Sequence, residues 1–162
     1  MIELGTLTTL HTGISYAALA TGLVTVVQML RGVPAPGWTM LFLATAVLTS
    51  ATGFLFPFNG VLPSHVVGGI ALLVLALALA ARYAFRLNGA WGPVYAGGLV
   101  ASLYFLVFVG IAQAFAKVPV LHSAAPTQSE APFAIAQAVA LVGFIVLGIA
   151  AVRVARRVPA AA

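Results

Sequence analysis

Residues 64–87 read SHVVGGIALLVLALALAARYAFRL, with no charged side chain between Ser64 and Arg82. As a helix rising 1.5 Å per residue, a run of this length exceeds the hydrocarbon core of a bilayer, about 30 Å thick. Four further segments, 6–30, 38–57, 91–117 and 132–155, are also long and apolar enough to cross. The sequence therefore predicts an all-α integral membrane protein, a bundle of five transmembrane helices forming a single domain over 1–162. Composition agrees: 63% of residues are hydrophobic and only 6% charged, with a mean hydropathy of +1.17. Soluble domains carry about a quarter charged residues.

Turn chemistry separates the spans. Between the first and second, Arg31-Gly32-Val33-Pro34-Ala35-Pro36-Gly37 combines prolines that remove backbone donors with glycines that free φ. Pro57-Phe58-Asn59-Gly60 ends the second span and Asn88-Gly89 divides the third from the fourth. The one long connection runs from Val118 to Ala131, where Thr127-Gln128-Ser129-Glu130 has capping-box spacing ahead of the fifth span.

Basic residues orient the bundle, because loops rich in Lys and Arg stay in the cytoplasm during insertion. Arg31, Arg82, Arg86, Arg153, Arg156 and Arg157 all lie at or just beyond the ends of odd-numbered spans. This predicts an N-terminus outside and a cytoplasmic C-terminus, with Lys117 the one basic side chain on the outer side. Trp38 and Trp91 then fall at cytoplasmic span starts, as an interfacial belt requires. The net charge of +5 and pI near 10.5 follow from topology, so nucleic acid is not an expected partner. Glu3 is the only charge ahead of the first span, which lacks the basic start of a cleaved signal and is expected to be retained.

The residues that are missing narrow the chemistry. Without cysteine there are no disulfides, thiolate ligands or cysteine nucleophiles; without aspartate there is no Ser-His-Asp triad or aspartyl dyad. No phosphate-cradling glycine loop precedes a soluble helix. What remains is gathered at one side. His11, His65 and His122, and both carboxylates, Glu3 and Glu130, map to the predicted outer face.

In the first span Thr8, His11, Ser15, Ala18, Gly22, Thr25 and Met29 recur at steps of three and four, a polar and small stripe expected to face the bundle. His65 opens the third span, with Gly68 and Gly69 one turn deeper. Thr45, Thr49 and Thr52 line one face of the second, and Gln113 and Gln137 reach the outer third. Two imidazoles at matched depth suit axial ligation of haem b, with Lys117 meeting a propionate. His11, His65 and His122 alternatively suit a transition metal, with Glu3 or Glu130 adding oxygen. A quinone is the third candidate, held by a histidine with Tyr16 or Gln113. Each histidine also has a plain structural role: His11 bonding a neighbouring helix, His65 at a helix start, His122 solvated in a loop. Glu130 is expected to cap the fifth span and Glu3 to complement the first helix dipole.

The stretch from Leu41-Phe42-Leu43-Ala44-Thr45 through Thr52-Gly53-Phe54-Leu55-Phe56-Pro57-Phe58, then Leu62-Pro63-Ser64-His65, with Ala125-Pro126-Thr127-Gln128-Ser129-Glu130-Ala131-Pro132-Phe133, resembles small uncharacterised multispan proteins of bacterial inner membranes. The resemblance covers about a fifth of the chain; it implies a bacterial inner-membrane location and no particular activity. Three function classes follow. One is membrane electron transfer or its support, through haem, a metal or quinone. The second is a non-catalytic subunit or assembly partner, in a homo-oligomer or membrane complex, using pairs such as Gly97 with Ala101 and Gly98 with Ser102. The third is a small-solute permease lined by Tyr104 and threonines.

Overall fold

A computed structural model describes residues 3–56 and 63–157, so the Pro57-Phe58-Asn59-Gly60 turn lies outside the described residues. Six helices appear in chain order: α1 (Leu4–Leu30), α2 (Pro36–Gly53), α3 (Pro63–Leu79), α4 (Trp91–Lys117), α5 (Pro119–Ala124) and α6 (Ala131–Arg157). No strand occurs among the described residues. Among the described residues four stretches are long and apolar enough to cross a membrane: Leu4–Leu30, His65–Ala84, Trp91–Lys117 and Ala131–Arg157. The protein is therefore a multi-pass membrane protein. Helix α2 differs from these in composition. Its 18 residues span about 27 Å, and four threonines, a serine, Trp38 and Pro36 dilute its apolar character.

Two element boundaries depart from sequence expectation. The third span does not run as one α-helix to Leu87; it widens into a π-helical turn at Ala80–Ala84. Arg86 and Leu87 then take left-handed φ values of 50° and 58°, which no continuing helix accommodates. The second span stops at Gly53, with Phe54–Phe56 outside the helix.

Helix α4 is the hub, packing against α1, α3, α5 and α6, while α2 lies against α1 and α3. The core joins Val26 of α1, Phe42 and Ala46 of α2, Leu75 and Ala78 of α3, and Leu99, Val100 and Leu103 of α4. Small residues set these approaches. Gly98 lies where a Cβ would come within 3.1 Å of the Ala78 Cβ, drawing α3 onto α4. Gly22 is tighter: a Cβ there would stand 2.7 Å from the Phe42 ring and 2.8 Å from Leu103. The predicted stripe of α1 does turn inward from His11 to Met29, with Ala18, Gly22 and Thr25 buried, but Thr8 is exposed. Helix α6 is peripheral. Ala151 is its one buried residue, and Ile135, Val139, Val142 and Val146 stand more than 60% exposed, a surface suited to lipid.

The helix contacts also order the two ends of the bundle. His11 meets Thr52, so α2 runs antiparallel to α1. Phe115 meets Phe133 and Gly97 meets Val152, so α6 runs antiparallel to α4. The N-terminal ends of α1, α3 and α6 thus share one end of the bundle, and Arg31, Arg82, Arg86, Arg153, Arg156 and Arg157 share the other.

Gly22→Ala is expected to cost about 1–3 kcal/mol, because Phe42 is fully enclosed and cannot retreat. Gly69→Ala, where no atom lies within 4 Å of the new methyl, should be near neutral. Detergent-denaturation midpoints of the two variants check the contrast.

Candidate functional site

Hydroxyl groups on these helices have few partners, and most bond the carbonyl one turn back. Thr52 does so: its Oγ–H points to the Leu48 carbonyl at 2.7 Å, with the Thr49 carbonyl at 3.2 Å. A hydroxyl has one proton and two lone pairs. That proton being committed, the contact of 2.9 Å between His11 Nδ1 and Thr52 Oγ1 has one consistent polarity, with Nδ1–H donating to the hydroxyl oxygen. Hydrogen-bond accounting therefore assigns the tautomer of a neutral His11: the proton sits on Nδ1 and the lone pair on Nε2. The ring is wedged against the end of α2. Its Cε1 lies 3.7 Å from where a Gly53 Cβ would stand, and the Phe56 ring meets it edge-on with centroids 5.3 Å apart.

His65, half-buried in the first turns of α3, leans on the same short segment. The Phe54 ring lies 5.8 Å from its centroid. Phe54 also occupies the space above Gly68, where a Cβ would come within 3.3 Å of the ring. The glycine expected to open room beneath His65 thus seats the aromatic ring that follows α2. Residues 52–56 consequently carry a histidine contact on each side: Thr52 and Phe56 hold His11 of α1, and Phe54 holds His65 of α3.

The other residues singled out from the sequence are dispersed. Tyr16 is 69% exposed, since five residues along a helix rotate it about 140° from His11. Gln113 is exposed on α4. Lys117 is exposed at the C-terminal end of α4. His122 sits exposed on α5, a short helix within the long connection. Among the described residues no group of three or more His, Asp or Glu side chains comes together. Glu3 precedes α1 without a side-chain capping bond.

The approach to α6 is built differently from a capping box. A box would place Gln128 and Ser129 in the first helical turn, yet Gln128 has φ +58° and α6 begins at Ala131. This backbone lets the Gln128 amide reach into the bundle and donate to the Ala112 carbonyl at 2.8 Å. Gln137 donates likewise to the Phe108 carbonyl at 3.1 Å, so both glutamines tie α6 and its entry loop to α4. Glu130 turns back on its own loop. Its carboxylate accepts from the Thr127 hydroxyl at 2.8 Å and from the Thr127 and Ser129 N–H groups. Desolvation acts to raise its pKa, but these hydrogen bonds, led by the Thr127 hydroxyl, outweigh it and hold the carboxyl below its ordinary value.

Sequence reasoning missed Phe54, Phe56 and Gln128 as parts of this end of the bundle. A Phe-x-Phe pair immediately beyond Gly53 was visible, but nothing in its spacing says which histidine each ring meets.

No protein-family model matches the chain, and no curated protein or solved structure matches it.

Thr52→Val strands the Nδ1–H of His11 and should lower stability by about 1 kcal/mol, whereas Thr52→Ser should preserve it. Thermal unfolding of the two purified variants distinguishes them. For Glu130 the sign follows from a depressed folded pKa. Its loop contribution is complete above the unfolded value near 4.5 and is lost as pH falls through the lower folded value. The Thr127 and Ser129 amide resonances should titrate with a midpoint below 4.5, moving upward in Thr127→Val.

Proposed function

We propose that this chain is a five-span protein of a bacterial inner membrane, with its N-terminus outside and C-terminus cytoplasmic, and that it binds a quinol at His11 and His65. Helix α2 serves as the fifth crossing. It returns the chain from the arginine-bearing end of the bundle to the end where α3 begins, and the six arginines at one end supply the cytoplasmic bias.

The observation that carries the ligand assignment is the polarity of the His11–Thr52 bond. It leaves Nε2 as an acceptor, which suits the hydroxyl of a quinol. The carbonyl of the oxidised quinone would need a donor there instead. An imidazole fixed in this tautomer is also a proton acceptor positioned for quinol oxidation. Phe54 and Phe56 offer rings for stacking a flat aromatic head, and His65 borders the same segment. The two electrons of a quinol require an acceptor, which this proposal assigns to a partner subunit of a membrane complex.

Ligation of haem b is the second reading, favoured by the same free nitrogen: a histidine whose Nδ1–H is held by a protein oxygen is the usual form of an axial ligand. The three-histidine transition-metal site has less support, since His122 stays with α5 and does not join the other two.

With ¹⁵N-histidine-labelled protein in detergent, a short-chain benzoquinol should shift the His11 Nε2 resonance saturably, and the oxidised quinone should shift it at least ten times less effectively. Thr52→Val should erase that preference. No shift with quinol overturns the proposal. A near-ultraviolet absorption band that moves on reduction of the purified protein would replace the quinol with haem.

A further inference from the structure

The surface between α4 and α6 has a feature that the histidine site does not use. A groove of about 400 Å³ is lined by Gly97 of α4 and by Gly148, Ile149, Val152, Arg153 and Arg156 of α6. A smaller depression of about 190 Å³ shares Gly97 and Gly148 with it and runs on past Ala101 to Tyr104 and Leu141. Together they form one furrow. From Arg153 to Leu141 is about 18 Å of helix, close to the depth of one leaflet of a core about 30 Å thick.

The glycines make the furrow. A Cβ at Gly97 would stand 3.6 Å from Val152, and one at Gly148 would stand 3.8 Å from Val100, ordinary contact distances. Close helix packing therefore does not require glycine at either place. What their absent side chains leave is a trough on a lipid-facing surface, apolar along its length and doubly cationic at its mouth.

Among the described residues those two charges have no counter-ion of their own. The chain holds two acidic side chains, Glu3 and Glu130. Glu130 immediately precedes α6, about 35 Å of helix from Arg153, and Glu3 precedes α1 at that same far end. Arg153 and Arg156 are three apart, hence neighbours on one face of α6, and both are exposed.

We infer that the α4–α6 furrow is a binding site for an anionic phospholipid, with one acyl chain against Gly97, Ala101 and Gly148 and the phosphate between Arg153 and Arg156. Basic pockets between helices at the cytoplasmic side are where such headgroups bind, and guanidinium matches phosphate geometry in a paired fashion. Charge also decides between this occupant and a second copy of the chain. A two-fold dimer with its axis along the membrane normal would set equal depths face to face, bringing four arginines together with no carboxylate between them. A lipid phosphate removes that repulsion.

The test is native mass spectrometry of the full-length protein released from nanodiscs containing equal phosphatidylglycerol and phosphatidylcholine. The wild type should retain phosphatidylglycerol in preference. Arg153→Gln with Arg156→Gln should weaken that retention roughly thirtyfold, at about tenfold for every 1.4 kcal/mol and about 1 kcal/mol per basic residue. Arg31→Gln with Arg86→Gln, which removes two exposed arginines of the same end outside the furrow, should leave it within about twofold. Gly148→Leu should weaken retention while both arginines remain. Inorganic phosphate at millimolar concentration should not displace the lipid. Equal retention of the two lipids, an equal loss in the control pair, displacement by phosphate, or a lipid-free dimer would each overturn the inference.

Discussion

A polar group carried into hydrocarbon must find its partner inside the protein, and this chain meets that demand mostly along its own helices. Thr21, Thr25, Thr45, Thr52, Ser15 and Ser102 each return their hydroxyl proton to the carbonyl one turn behind. Such bonds satisfy the side chain without a second helix. They also leave the hydroxyl oxygens as acceptors, and at Thr52 that residual capacity sets the state of a histidine. Thr49 stands apart: its buried oxygen has no partner among the described residues.

The same demand distributes function along the bundle. Groups able to exchange protons lie at one end, where His11 and His65 meet the end of α2. The arginines lie at the other, where Arg82 donates to the Tyr95 hydroxyl at 3.3 Å and lies over its ring, and where Arg153 and Arg156 border a lipid-facing furrow. Between them the core is mostly aliphatic around the Phe42 ring, with Leu75, Leu99 and Val100 at most 2% exposed. Quinol chemistry and lipid retention would therefore occupy opposite ends of the molecule, and substitutions in one should leave the other intact.

Helix α6 holds to α4 by means unlike those of the other helices. It fully buries only Ala151, while Phe144, Leu147 and Ala155 pack against the core from its inner face. Side-chain amides of Gln128 and Gln137 also reach carbonyls of α4, toward the Lys117 end of that helix. Toward the other end small residues keep the helices close yet leave the furrow open.

Much of this was legible in the residues alone. Long uncharged runs demand helices in a bilayer, since an apolar solvent leaves backbone groups no external partner, and prolines and glycines at 31–37 must interrupt them. The inward stripe of α1 from His11 to Met29 followed from a period of 3.6. Periodicity works within one helix and says nothing of which helix it meets. Pairing of His11 with Thr52, and of His65 with Phe54, depends on how α1, α2 and α3 lean together. The exclusion of Tyr16 needed only helical geometry, but Gln128 reaching Ala112 rests on one left-handed residue with no sequence signature. The protonated nitrogen of His11 belongs entirely to the tertiary structure. It depends on a threonine 41 positions away whose own proton is already committed to its helix.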